Sequence, residues 1–299
     1  MIWNFTKMHG AGNDFVMLDG VRQAIDMTPE RARALAHRQF GVGCDQILLV
    51  DTPLHPEANF RYRIFNADGS EVEHCGNGAR CFVRFVHEQK LSSRNPLRAE
   101  IATGLITLEE LPNGDVTVEM GQTRFSAGDL PFDIAGLPTK TQGKDTLYGL
   151  ELATTPTQTV WLSAVAISNP HAVQVVTDIE AAPVALLGPM IESHPRFVRR
   201  VNAGFMQIVD PHTIYLRVYE RGAGETLACG TGACAAVASG VRQGLLESPV
   251  RVRTHGGWLT VAFDGTQLRM TGPATTVFSG SIDIDQLVAS IPSLMSPST

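Results

Sequence analysis

Two short stretches carry most of the chemistry on offer. Residues 73–82 read EHCGNGARCF and residues 227–236 read LACGTGACAA, so Cys-Gly-x-Gly-Ala occurs twice, with Cys229 lying 154 positions after Cys75. Each cysteine comes just before a segment expected to be helical, 79–90 and 233–243. The unpaired N–H groups and positive dipole end of a helix N-terminus favour negative charge there. That lowers a thiol's pKa from about 8.5 and makes thiolate available near neutral pH. The glycines let a bound group come close to the backbone, and a substrate carboxylate would sit on the same N–H groups. Two such units facing each other would put one sulfur on each side of a planar, partly anionic carbon. A thiolate removes a proton from one face and a thiol returns one to the other, which inverts the stereocentre. The backbone N–H groups stabilise the charge that develops on the carboxylate.

Other uses of these residues fit less well. Cys229 and Cys234 are five steps of about 100° apart on a helix, off a common face, and Cys75 and Cys81 at six steps are no better placed to share a zinc ion. No metal is expected. The run from Gly230 to Ala235 matches the dinucleotide pattern G-x-G-x-x-A, but the acidic residue required after the next strand is missing, since Glu247 precedes VRVRT. No C-x-x-C occurs, which disfavours a dithiol oxidoreductase. Cys44, Cys81 and Cys234 read as small buried residues.

The elements that must position the two turns are legible in outline. Ile2–Asp19 reads as two strands around HGAGND. Thr28, Pro29 and Glu30 open a helix that Gly41 would end. QILLVD and NFRYRIFN read as strands, and 98–120 as a hairpin around PNGD. Residues 124–158, rich in Gly, Pro and Thr, read as a crossover into a second domain. TVWLSAVAIS and HAVQVV follow as strands, then a helix near 183–193, strands near 205–209 and at TIYLRVYE, and strand pairs to 279. At the 154-residue offset Arg63 matches Arg217, Ile64 Val218, Phe65 Tyr219 and Glu71 Glu225, while Asn13 matches Asn169 at 156. A duplicated unit explains matches that share their order.

Composition is that of an ordinary globular chain: 299 residues, 43% apolar, 18% charged, net charge −6. No Lys/Arg block points to nucleic acid or a membrane surface. No apolar run reaches bilayer length and the N-terminus has no secretory pattern. Five cysteines in such a length argue for reduced thiols and a cytoplasmic protein rather than a disulfide scaffold.

MHGAGNDF, GCDQ, FNADGSEVEHCGNGARC, SNPHAV and ERGAGETLACGTGACA occur in that order across nearly the whole chain. In these motifs the sequence resembles the diaminopimelate epimerases, cofactor-independent enzymes of lysine and peptidoglycan-precursor synthesis. The resemblance implies an α/β (α+β) fold of two pseudo-symmetric domains. Each would be a mixed β-sheet wrapped around a central helix, with the active site in the cleft between them. The domains would be 1–126 with a returning strand in 274–299, and 127–273. Cys75 and Cys229 would be the acid–base pair, with His171 and Glu220 near the thiols and tuning them. Gly76 with Asn77, and Gly230 with Thr231, would hold the reacting carboxylate. Asn13, Gln46, Asn66, Asn169, Asn202 and Glu220 would bind the polar ends of an amino-acid substrate, and Arg221 would grip its distant carboxylate. No cofactor is implied, and the protein would be a homodimer with the sheet edge near 275–279 as its seam. One departure is Cys44 in GCDQ, where a small residue such as alanine is expected. The alternatives are a proline racemase-like enzyme and a non-catalytic amino-acid-binding protein on the same scaffold.

Overall fold

The computed structural model describes residues 1–72, 76–102 and 104–291. The chain divides into two compact units, Met1–Val118 with the segment from Pro273 onward, and Glu119–Gly272. In the first unit, β1 (Ile2–Gly10) and β2 (Asn13–Asp19) form an antiparallel hairpin. Its two linking residues, Ala11 and Gly12, have φ of 54° and 86°, the left-handed pair that suits the twist of a two-residue hairpin. This turn puts Asn13 at the start of β2. Helix α1 (Pro29–Ala36) is capped by Thr28, whose hydroxyl accepts the Arg31 N–H at 3.3 Å. It stops at Ala36, before the expected Gly41, because His37 turns to extended backbone; Gly41 serves the following turn.

β3 (Gln46–Asp51) lies parallel to β2, and β4 (Phe60–Asn66) antiparallel to β3. The short β5 (Glu71–Val72) folds back on β4 before α2 (Gly76–Glu88). β6 (Leu97–Ile101) lies parallel to β4, and β7 (Gly104–Glu110) and β8 (Val116–Gln122) continue antiparallel.

The second unit starts with a hairpin of β9 (Thr139–Gln142) and β10 (Asp145–Leu152), in a stretch expected to be loop. Leu147, Leu150 and Leu152 of β10 are buried; the exposed, Thr-rich β9 hides the pattern from a sequence reading. Then come β11 (Gln158–Ala166), β12 (Pro170–Val175), α3 (Val184–Glu192), β13 (Asn202–Asp210), β14 (Thr213–Glu220), β15 (Gly224–Glu225) and α4 (Gly230–Arg242). β16 (Val250–Thr254), β17 (Gly257–Phe263) and β18 (Gln267–Gly272) complete the unit. β19 (Thr275–Asp283) returns antiparallel to β1, and α5 (Ile284–Ser290), which the sequence reading missed, follows with Asp283 as its N-cap.

Strand by strand the two units repeat one pattern. β1–β2 and β11–β12 are antiparallel, β2–β3 and β12–β13 parallel, β3–β4 and β13–β14 antiparallel. β4–β6 and β14–β16 are parallel, and β19 pairs with β1 as β10 does with β11. The sequence repeat survives as the same ion pair in each unit. Arg63 donates Nε and Nη2 to Glu71 at 2.8 and 2.9 Å, and Arg217 does so to Glu225 at 2.6 and 3.0 Å. Such a fork fixes the short β5 and β15 segments bidentately.

Both glycine-turn helices start three residues earlier than expected, at Gly76 and Gly230, since their glycines are already helical. Glycine is a poor helix former, so packing must decide. A Cβ on Gly78 would stand 2.3 Å from Tyr62 Oη, so α2 lies closer to β4 than any side chain allows. Every residue of α4 from Gly232 to Gly240 is buried, as in a helix covered on all sides by its sheet. α2 is buried from Gly76 to Val83. Among the described residues no helix is long and apolar enough to cross a membrane.

Candidate active site

Cys229 is the N-cap of α4. Its sulfur accepts the Gly232 N–H at 3.4 Å, lies 3.6 Å from Thr231 Oγ1, and donates to Glu220 Oε2 at 3.0 Å. The other carboxylate oxygen, Oε1, accepts the Thr226 hydroxyl. The expected lowering of this thiol's pKa is reversed. Burial and then the charge of Glu220 push it well above 9.0, against smaller favourable contributions from Thr231 and the Gly232 N–H. A helix N-terminus offers partial charges, whereas Glu220 brings a full one to the buried thiol. Cys229 is therefore held as a thiol, its proton aimed at a carboxylate. Gly230 and Thr231 form the first turn of α4, where N–H groups lack intrahelical acceptors.

The strands beside this turn carry the other residues singled out in the second unit. His171 and Asn202 are opposite one another on parallel β12 and β13, and both are buried. His171 Nε2 lies 2.8 Å from Asn169 Oδ1. Burial and then the nearby Arg221 guanidinium bring its pKa down to about 3, so the ring is neutral at working pH. Asn202 Oδ1 accepts the Arg221 N–H at 2.8 Å, and its Nδ2 is buried with no partner. Arg221 is exposed, its Nη1 on the Arg199 carbonyl at 3.2 Å. The turn after it is tied down by Glu192, which accepts the Gly222 N–H at 3.1 Å.

In the first unit, Cys75 lies outside the described residues, together with Glu73 and His74. Gly76 and Asn77 open α2 and are buried. Asn77 Nδ2 reaches Asn13 Oδ1 at 3.4 Å, and Asn13 Nδ2 donates to Asp45 Oδ2 at 2.7 Å. Gln46 and Asn66 face each other across β3 and β4 and bond at 2.9 Å. Asn13, Gln46, Asn66 and Asn77 are thus gathered by the strand ends next to α2. The sequence reading missed what holds them: Arg38 Nη2 reaches Asp14 at 2.9 Å and Asp45 at 2.6 Å, and Lys7 reaches Asp14 at 2.6 Å. Burial would raise the Asp14 carboxyl, but Arg38 and Lys7 overcome it and hold it below the usual carboxylate range. Cys44, Cys81 and Cys234 are buried, and burial pushes the Cys44 thiol up to about 12.

The diaminopimelate epimerase family model matches residues 5–126 and 163–277. The chain is 63% identical to the diaminopimelate epimerase of Cupriavidus taiwanensis and 62% to that of Cupriavidus necator, in each case over 95% of this chain and 99% of the relative. This chain belongs to the diaminopimelate epimerase family. The fold extends further. A hydroxyproline epimerase from Agrobacterium vitis, solved with bound trans-4-hydroxy-L-proline, is 14% identical and superposes with a TM-score of 0.65 over 94% of this chain and 92% of its own.

The two halves of this family member are alike in backbone and unlike in charge. Phe65 pairs with Glu71 as Tyr219 pairs with Glu225, so Asn66 occupies in the first unit the place of Glu220 in the second. Phe15 pairs with Gln46 as His171 pairs with Asn202, so Phe15 stands where His171 does. The carboxylate and the imidazole thus belong to the Cys229 half. Extending the 154-residue offset by one position would have revealed the first exchange from sequence.

Proposed function

We propose that this protein inverts one α-carbon of LL-2,6-diaminopimelate to give the meso form, with no cofactor, Cys75 and Cys229 acting as the two bases. The observation that carries this reading is Cys229 at the cap of α4 with its thiol proton on Glu220. Inversion by two bases needs one thiol and one thiolate at the start of each turnover. Glu220 keeps Cys229 protonated, and the counterpart of Glu220 in the first unit is the neutral Asn66. The thiolate role therefore falls to Cys75. It takes the α-proton, while Cys229 delivers its own to the opposite face of the carbanion, and the N–H groups of Gly76, Asn77, Gly230 and Thr231 receive the charge that spreads onto the carboxylate. The unpartnered buried Nδ2 of Asn202 supports a role in binding a polar group of the substrate, and Arg221, Asn13, Gln46, Asn66 and Asn169 would bind the others. Neutral His171 orients Asn169.

Such an enzyme works in lysine and peptidoglycan-precursor synthesis in the cytoplasm. The purified protein, incubated with LL-2,6-diaminopimelate in D2O without added pyridoxal phosphate, is expected to place deuterium at one α-carbon as the meso isomer forms, followed by NMR. Binding measured by calorimetry with no solvent exchange would instead favour a non-catalytic binder.

A homodimer is supported by the same pseudo-symmetry. β10 has β9 along its outer side, whereas its counterpart β19 pairs with β1 alone among the described strands and exposes Val277 and Phe278. An open edge of that kind invites a second strand. Val277→Glu is expected to convert dimer to monomer in light scattering; an unchanged dimer would place the seam elsewhere.

A further inference from the structure

We propose that Thr226 is a positioning residue for Glu220, its hydroxyl holding one carboxylate oxygen so that the other stays turned to the Cys229 thiol. The inference rests on the reading that Cys229 is one of the two bases. Thr226 Oγ1 donates to Glu220 Oε1, and Cys229 Sγ donates to Oε2 at 3.0 Å. A glutamate has three rotatable bonds, and a weak sulfur donor adds little to fixing them. Thr226 can, because it is itself held: its N–H donates to the Val218 carbonyl at 3.4 Å, and a β-branched side chain has few χ1 choices.

The repeat supplies an independent observation. In the first unit the residue equivalent to Thr226 is Val72, which pairs with Ile64 as Thr226 bonds to Val218, the equivalent of Ile64. The first unit thus has Asn66 with Val72 where the second has Glu220 with Thr226. The hydroxyl accompanies the carboxylate and is missing where the carboxylate is missing. A hydroxyl needed only to shape this bend would serve both units equally.

Several charged and titratable groups surround this turn: the Cys229 thiol on α4, Arg221 next in the chain, the Arg217–Glu225 pair on β14 and β15, Glu192 of α3 with its partner Arg200, and neutral His171 on β12. All are shared by the wild type and the variants below, so a difference between them reports on the hydroxyl.

Thr226→Val is the direct test, since valine has the same shape and the fold already places valine at the equivalent position. The Glu220 charge raises the Cys229 thiol, so a carboxylate no longer held against the sulfur lets that thiol ionise at lower pH. The basic limb of the kcat/KM profile, set by the Cys229 thiol as essential acid, is expected to move to lower pH, with kcat down about tenfold and KM within about twofold of wild type. Thr226→Ser should restore both kcat and the limb, and thermal unfolding should leave all variants folded. Wild-type kcat and an unmoved limb in Thr226→Val would overturn the proposal, as would Thr226→Ser as impaired as the valine. If Glu220→Gln and Cys229→Ala were themselves fully active, the underlying reading would fail instead.

Discussion

Cys75→Ala and Cys229→Ala are each expected to lower kcat for inversion by about 10³-fold, within the range that a positioned acid or base contributes. The two losses should differ in kind. A protein left with one thiol can still take the α-proton from the epimer whose C–H bond points at that sulfur, and return a solvent proton to the same face. Each variant should therefore wash deuterium into one epimer without inverting it, one variant into the LL form and the other into the meso form. Cys229 is 4% exposed and its neighbours on α4 are mostly small, so alanine there leaves a minor cavity and the variant should stay folded. NMR of each epimer in D2O reads both outcomes. A single-thiol variant with full turnover would exclude two-base inversion.

Glu220→Gln is expected to have the next largest effect, with kcat reduced about 10²-fold. The amide is nearly isosteric and can still accept hydrogen bonds, so the variant isolates charge. Glu220 accounts for two of the three causes that raise the Cys229 thiol, burial being the largest. Removing its charge should bring the thiol down from its raised value, since a like charge disfavours thiolate. Ultraviolet thiolate absorbance should therefore appear at lower pH in Glu220→Gln than in wild type, and Cys229→Ala combined with Glu220→Gln should lack that component. An unchanged titration with full activity would show that Glu220 sets neither the proton nor the rate.

The site was legible in the sequence where one residue type needs a particular neighbour. Cysteine followed by Gly-x-Gly-Ala marks a helix start with a thiol as its cap, and Cys229 takes that place. Arg63–Glu71 and Arg217–Glu225 could be matched by spacing because both members of each pair lie on one short strand–turn–strand, close along the chain. The β9–β10 hairpin was not legible, because an exposed strand of Thr and Lys has no apolar alternation, and its partner's burial comes from β11 and the core. The anchoring of Asn13 by Asp45, and of Asp45 by Arg38, joins residues that the β2–β3 pairing brings together, so no local pattern announces it.

By itself the sequence determined the duplicated unit, the Cys229 cap and the family, since these depend on residue identity and order. Only the tertiary structure decided the protonation of Cys229. A helix N-terminus is written into the local sequence, but burial and the approach of a carboxylate from β14 come from packing, and together they outweigh the Gly232 N–H and the Thr231 hydroxyl.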